Sequence, residues 1–171
     1  LSISHHQIWV HAKKSEFQNI IILEDTFNIQ NDINIAETLV QVPSDYDLFY
    51  LGRTSSSHSE TRIDEDIVKP SVSYGSFAYM LSAKGIESLL QQNFNTYIMP
   101  ISDFLISCYT KHPRTDLNFI VNDLIAYGTK VNLFTQDENN YKGPDISIFS
   151  SERKHPDLYT YWSDPDTWKK K

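Results

Sequence analysis

The run Asn19-Ile20-Ile21-Ile22-Leu23, followed at once by Glu24-Asp25-Thr26, constrains this chain more than any other feature. Four consecutive branched apolar residues read as a buried central strand of the kind a mostly parallel sheet needs. Acids at the carboxyl end of such a strand are costly in a core but well placed at a crevice. In open α/β sheets, ligands bind outside the carboxyl ends of the strands. A carboxylate pair there serves a metal, a sugar hydroxyl or a proton transfer. An isolated pair of this kind is equally well a surface turn, so the neighbouring segments have to decide.

With 171 residues the chain is long enough for one domain around a single core. Ten Tyr and nine Phe suggest broad, partly polar contact surfaces. A net charge of −7 argues against nucleic acid as a partner, because phosphate binding needs clustered Lys and Arg. The basic clusters are short: Lys13-Lys14 and the terminal Lys169-Lys170-Lys171, which reads as a solvated tail. The single cysteine, Cys108, excludes an internal disulfide and a Cys-based zinc site. It lies in an apolar stretch, where a small core residue is the expected role. There is no Asn-x-Ser/Thr sequon, and no apolar run approaches the ~20 residues of a membrane span. The chain opens without Met or signal peptide, inside what reads as a helix, which suggests an excised or truncated segment.

Ser4-His5-His6-Gln7 fits a capping box, and Ile8, Trp9 and Ala12 give a helical apolar face running to about Phe17. Asp32 can cap a second helix through Val42, with Ile33, Ala36 and Val40 on one stripe and Leu39 beside it. Asp47-Leu48-Phe49-Tyr50-Leu51-Gly52 reads as a second buried strand. Residues 53–73 form a polar stretch longer than usual connections, which points to a functional or mobile loop. Ser76 to Leu81 is a third strand, and Ser82 caps a helix with Ile86, Leu89 and Leu90 inward. A further helix starts after Pro100, capped by Ser102, with Phe104, Leu105 and Cys108 apolar. From 116 to 134 the pattern fits either helix then strand or two strands, with Val131 to Phe134 the better strand. Residues 147–171 are a polar and aromatic tail. Alternating strands and helices predict a single α/β layered domain over 1–171, with helices on both faces of a mostly parallel sheet. Ile20–Leu23 and Leu48–Leu51 are its expected interior strands.

Three Asp-x-Asp triplets occur, at Asp45-Tyr46-Asp47, Asp64-Glu65-Asp66 and Asp164-Pro165-Asp166. Two hard oxygens one residue apart can hold Mg²⁺ or Mn²⁺ against a diphosphate. The first lies at the wrong end of its strand, the second in the polar loop, and the third reads as a turn near the tail. Glu24-Asp25 has the better context. His5 and His6 lie at a helix N-terminus, where amides and dipole favour an anion, or where a histidine is simply exposed. Arg53 follows a strand and Gly52, so it points into the crevice region or lies on the surface.

These segments, in this order, resemble glycosyltransferase family 25, the group of lipooligosaccharide and procollagen galactosyltransferases. The matching residues are Ser4-His5…Trp9, Ile22-Leu23-Glu24-Asp25, Leu51-Gly52-Arg53, the block Gly75-Ser76-Phe77-Ala78-Tyr79-Met80-Leu81-Ser82-Ala83-Lys84-Gly85, Pro100-Ile101-Ser102-Asp103, and Gln136 with the later Asp145-Ile146. The resemblance implies a Rossmann-like nucleotide-sugar transferase domain of the A type that uses a divalent metal, Mn²⁺ or Mg²⁺. It implies transfer of a hexose, often galactose, from a uridine diphosphate sugar to a glycan or hydroxylated protein, with inversion. Carried over, Ser4, His5, Glu24, Arg53 and Tyr79 would serve the donor, and Glu24 with Asp25 the metal. Asp103 would be the base that takes the acceptor's hydroxyl proton. The sequence departs from the family pattern in two places. Thr26 stands where the acid motif has a second Asp, and the family's N-terminal strand has no counterpart here. A catalytically inactive module kept for binding or scaffolding is therefore the competing expectation.

Overall fold

The computed structural model describes residues 2–25, 27–30, 34–55, 60–92, 94 and 98–136. Thr26, Asp32, Ile33, His58, Asp145-Ile146, the third Asp-x-Asp triplet and the 147–171 tail lie outside the described residues.

The chain opens with α1 (Ser2–Lys14), whose buried residues His5, Trp9 and Ala12 recur at i, i+4 and i+7 on one face. Ser4 is thus inside the first turn and not a cap, and Ile8 is 42% exposed. Strand β1 (Asn19–Leu23) follows, then the short β2 (Phe27–Ile29) and α2 (Ile35–Val40). The α2 N-cap is Asn34, whose side chain accepts from the Glu37 amide. Ile35 and Leu39 face the core, while Val40 is exposed, so the buried stripe is shifted one position from the expected one.

Strand β3 (Leu48–Ser55) enters as Asp47 is locked in place. Its buried carboxylate accepts from the Ile125 amide at 2.9 Å and from Lys84 Nζ at 3.3 Å. The first Asp-x-Asp triplet is therefore structural at Asp47. The polar stretch after β3 contains a hairpin, β4 (Thr61–Arg62) and β5 (Ile67–Lys69). Asp64 Oδ1 accepts the amides of Asp66 and Ile67, making the second triplet the hairpin turn. Strand β6 (Ser73–Ser82) leads directly into α3 (Ala83–Gln91), where Ser82 Oγ accepts from the Gly85 amide as the sequence suggests. Helix α4 (Ile101–Tyr109) starts at Pro100 with no side-chain cap, so Ser102 does not cap it. The ambiguous region resolves into a 3₁₀ turn at Thr115–Leu117, strand β7 (Ala126–Thr129) and strand β8 (Phe134–Gln136).

The main sheet has the order β1-β6-β3-β7-β5-β4, and β2 pairs with β8 separately. This is an α/β domain, consistent with the Rossmann-like class, but two expectations about its sheet are corrected. Only β3·β7 is parallel; β1·β6, β3·β6, β5·β7 and β4·β5 are antiparallel. Leu48–Leu51 is interior, whereas β1 is an edge strand among the described residues. The reason is visible in its side chains. Ile22 is buried and Ile20 packs beneath the helices, while Ile21 and Leu23 are 46% and 37% exposed. An apolar run looks the same whether both faces are covered or one.

Alternate residues of β3 feed two cores. Leu48 and Tyr50 join Trp9, Leu89, Phe104 and Leu105 under α1, α3 and α4. Phe49 and Leu51 join Phe77, Met80 and Phe134 on the opposite face, against which α2 packs. Each fully buried Leu or Phe contributes about 1.5–3 kcal/mol relative to exposure. Gly85 lets α3 lie against the start of β3: a Cβ there would sit 2.1 Å from the Asp47 carbonyl oxygen.

Candidate active site

Because β6 runs antiparallel to β1 and β3, its first half lies beside their carboxyl ends. The candidate residues gather along this rib in three groups.

In the first group, α1 presents His5 to Tyr79 of β6. His5 Nδ1 lies 2.7 Å from the Tyr79 hydroxyl, the rings stack at 5.7 Å, and both residues are buried. Trp9 Nε1 donates to the same hydroxyl at 3.3 Å. Burial, the dominant cause, pushes the Tyr79 phenol far above its ordinary range, so it keeps its proton. His5 turns its other ring nitrogen, Nε2, toward Glu24. That nitrogen stands 3.6 Å from Glu24 Oε1. The buried series Trp9–Tyr79–His5 thus stands behind Glu24 at the end of β1, where the Glu24 amide also donates to the Phe77 carbonyl at 2.9 Å. Asp25, next along, is exposed.

This geometry alters the roles expected of several residues. Tyr79 and His5 are buried struts behind Glu24, not an open anion cradle at a helix end. Ser4 is exposed, and neighbouring residues on a helix diverge by about 100°, so it does not share the face of His5.

Arg53 forms the second group and is also buried. Its Nη2 meets Glu60 at 3.0 Å and the Thr129 carbonyl at 3.4 Å, and its backbone is clasped on both sides by the Asn132 amide. It ties the segment after β3 to the sheet instead of standing free in a crevice.

Asp103 anchors the third group, in the first turn of α4, where the helix dipole favours its charge. Arg114 Nη1 donates to Oδ2 at 3.2 Å, and His112 Nε2 stands 3.3 Å from Oδ1. Arg114 is held by Asp116 in turn, with contacts of 2.7 and 3.3 Å. That pairing lowers the Asp116 carboxyl below its ordinary value and raises the guanidinium. His112 is buried, its Nδ1 accepts the Arg114 amide at 3.0 Å, and burial outweighs Asp103 to lower its pKa. Tyr74 of β6 meets the His112 ring edge-on at 6.5 Å, which joins this group to the same rib.

His112 did not stand out in the sequence, where Asp103 alone of this group did. The usable signal was Lys111-His112-Pro113-Arg114 immediately after α4: a chain that reverses there passes back toward the start of its own helix. Cys108 is buried and burial pushes its thiol up, so it is no nucleophile.

Among the described residues, no group of three or more His, Cys, Asp or Glu is placed to hold a metal ion. Glu24 and Asp25 offer two carboxylates, one of them partly engaged by His5. They fit a hard cation that arrives with further oxygen ligands, as a diphosphate-bound Mg²⁺ or Mn²⁺ does. Among the described residues, no helix is long and apolar enough to cross a membrane.

No protein-family model matches the chain. Curated proteins do. A glycosyltransferase 25 family member of Drosophila pseudoobscura pseudoobscura is 33% identical over 133 residues, covering 72% of this chain and 21% of that protein. Human procollagen galactosyltransferase 2 is 22% identical over 180 residues, covering 96% of the chain and 26% of its own length. A probable inactive glycosyltransferase 25 family member 3 of Bos taurus is 24% identical over 164 residues, 90% of the chain and 27% of that protein. The chain therefore spans about a quarter of the length of the curated relatives it matches. With matches of this kind over most of its length, and with the acid-ended strand and its buried His–Tyr–Trp support in place, the chain belongs to glycosyltransferase family 25.

Proposed function

We propose that this chain forms part of a glycosyltransferase catalytic domain that moves a hexose, galactose, from a uridine diphosphate donor to an acceptor hydroxyl with inversion. The single observation that carries the reading is the carboxylate at the end of β1, where Glu24 is backed by His5, Tyr79 and Trp9. Partly exposed, with His5 Nε2 at 3.6 Å on its inner side, this carboxylate can present its oxygens to a donor's hydroxyls or to a cation riding on the diphosphate. When bound, a divalent ion neutralises charge on the leaving diphosphate. Asp103 takes the acceptor proton, and its neighbour Arg114, donating to Oδ2 at 3.2 Å, orients the carboxyl while His112 stands beside it. The names of the relatives, procollagen galactosyltransferases among them, support galactose as the sugar and a glycan or protein as acceptor.

The test uses the full-length protein. Uridine diphosphate should bind more tightly with Mn²⁺ than with a chelator, and Asp25→Asn should weaken that binding markedly. Asp103→Asn should lower transfer by about 10²–10⁴-fold while donor binding changes little. Nucleotide binding indifferent to both metal and mutation would refute the reading.

A second reading has specific support. Asp103 is already engaged by Arg114 and His112, and similar relatives are named as probably inactive. In that reading the domain binds without turning over. Donor binding without transfer in the unmutated full-length protein would select it.

A further inference from the structure

Beside His112, a cleft of about 350 Å³ opens between the end of α4 and the segment that leads to β7. That volume is at the small end of ligand pockets, suited to a single small molecule. Its wall begins at Ser107, one turn along α4 from Asp103, whose carbonyl accepts from Ser107 Oγ at 2.8 Å. It continues through Thr110, Lys111 and His112 to Asn118, Phe119 and Asn122.

The lining is unusual in what it lacks. Among the described residues Lys111 is its one fixed charge, and no carboxylate or arginine lines it. A diphosphate or a nucleotide asks for more cationic donors than that. The rest of the described lining is two amides, two hydroxyls, the rings of His112 and Phe119, and the aliphatic side chains of Leu117, Ile120 and Val121. Amides and hydroxyls both donate and accept, which matches the vicinal hydroxyls of a sugar. The Phe119 ring, 53% exposed, supplies an apolar face for the C–H side of a pyranose. His112 completes the argument. It is 4% exposed, and its Nε2 has no hydrogen-bond partner while standing 3.3 Å from the Asp103 carboxylate. A ligand in this cleft therefore shares a wall residue with the candidate base.

We propose that this cleft is a saccharide subsite, taking a hexose unit of the acceptor and presenting it toward Asp103. Its assignment to the acceptor rests on the transferase reading above; its chemistry as a sugar site does not. The amides of Asn118 and Asn122 recognise ring hydroxyls, and Phe119 stacks under the apolar face.

The test is saturation-transfer NMR on the full-length protein with methyl glycosides of galactose, glucose and mannose, each at roughly tens of millimolar, where weak monosaccharide binding is read. At least one glycoside should bind. Phe119→Ala and Asn122→Ala, both at exposed positions, should each weaken it about fivefold or more while uridine diphosphate affinity and thermal stability stay as they were. Absence of any glycoside signal, or binding that neither substitution changes, would overturn the proposal. The two readings can fail separately. Uridine diphosphate bound with no glycoside bound removes the cleft and keeps the transferase. Glycoside bound in a Phe119-dependent way with no nucleotide bound keeps the sugar subsite and removes the transferase.

Discussion

The Tyr79 hydroxyl is the joint on which the site's support turns, and Tyr79→Phe removes it with almost no change of volume. Two buried partners lose their bond at once: His5 Nδ1 at 2.7 Å and Trp9 Nε1 at 3.3 Å. A buried polar atom left without a partner costs about 1–3 kcal/mol. The Trp9 bond is long and belongs near the low end, so the pair sums to about 2–4 kcal/mol. In a chain of this size 1 kcal/mol corresponds to about 2–4 °C, so the melting temperature should fall by about 5–15 °C. Urea unfolding, followed by tryptophan fluorescence, should show a lower midpoint with an unchanged m value, since the surface exposed on unfolding is the same. His5→Leu and the double variant complete a cycle in which a coupling of about 1–2 kcal/mol is expected. Stability within about 0.5 kcal/mol of the parent, or strict additivity in the cycle, would show that no such joint exists.

Gly85→Ala should destabilise by about 1–3 kcal/mol or more in the same unfolding assay, because the new Cβ would meet the Asp47 carbonyl at 2.1 Å. An exposed helical glycine would instead gain about 1 kcal/mol from the change, so the sign alone decides. Arg53→Leu should cost about 3 kcal/mol by stranding Glu60, whose side chain is 18% exposed, and adding Glu60→Leu should recover much of it. An Arg53→Leu variant as stable as the parent would refute the pairing. His112 predicts a pH effect. Burial depresses its folded-state pKa, so the unfolded chain takes up a proton near its ordinary value of about 6.5 that the native state resists. Its contribution to stability is present above that pH and lost as pH falls. The parent should therefore lose more stability than His112→Asn between about pH 7 and pH 5, and parallel curves would refute it.

Local signals carried the parts of this structure that local chemistry decides. Ser82 announced its helix because a cap needs only a hydroxyl at the right spacing, and Leu48–Leu51 announced a strand covered on both faces. Ile20–Leu23 announced a strand but not its position, since Ile20 and Ile22 alone face the helices. The pairing of β3 with β7, like the hairpin inside the polar stretch, joins segments whose short strands carry little pattern of their own. The site divides the same way. Glu24, Asp25 and Asp103 stood out as acids beside strand and helix ends. Their partners did not, because His5 meets Tyr79 across the fold, and the Arg53–Glu60 pair joins residues seven apart with no local pattern to announce it. Gly52 stood out only as a strand-ending residue. The structure adds that a Cβ there would lie 2.5 Å from the Phe134 carbonyl, a contact invisible before β8 is placed.

The position of β1 has one more consequence. Its Glu24 amide points to β6, so alternation turns the backbone groups of Ile21 and Leu23 outward, beside their own exposed side chains. An apolar edge of that kind is a template on which another chain can polymerise. What limits it is its length, five residues, and the two negative charges that close it. Glu24 and Asp25 thus act as gatekeepers against aggregation as well as candidates for chemistry. Neutralising both together to probe the proposed reaction would also remove the charges that close this edge, so the solubility of such a variant has to be measured beside its turnover.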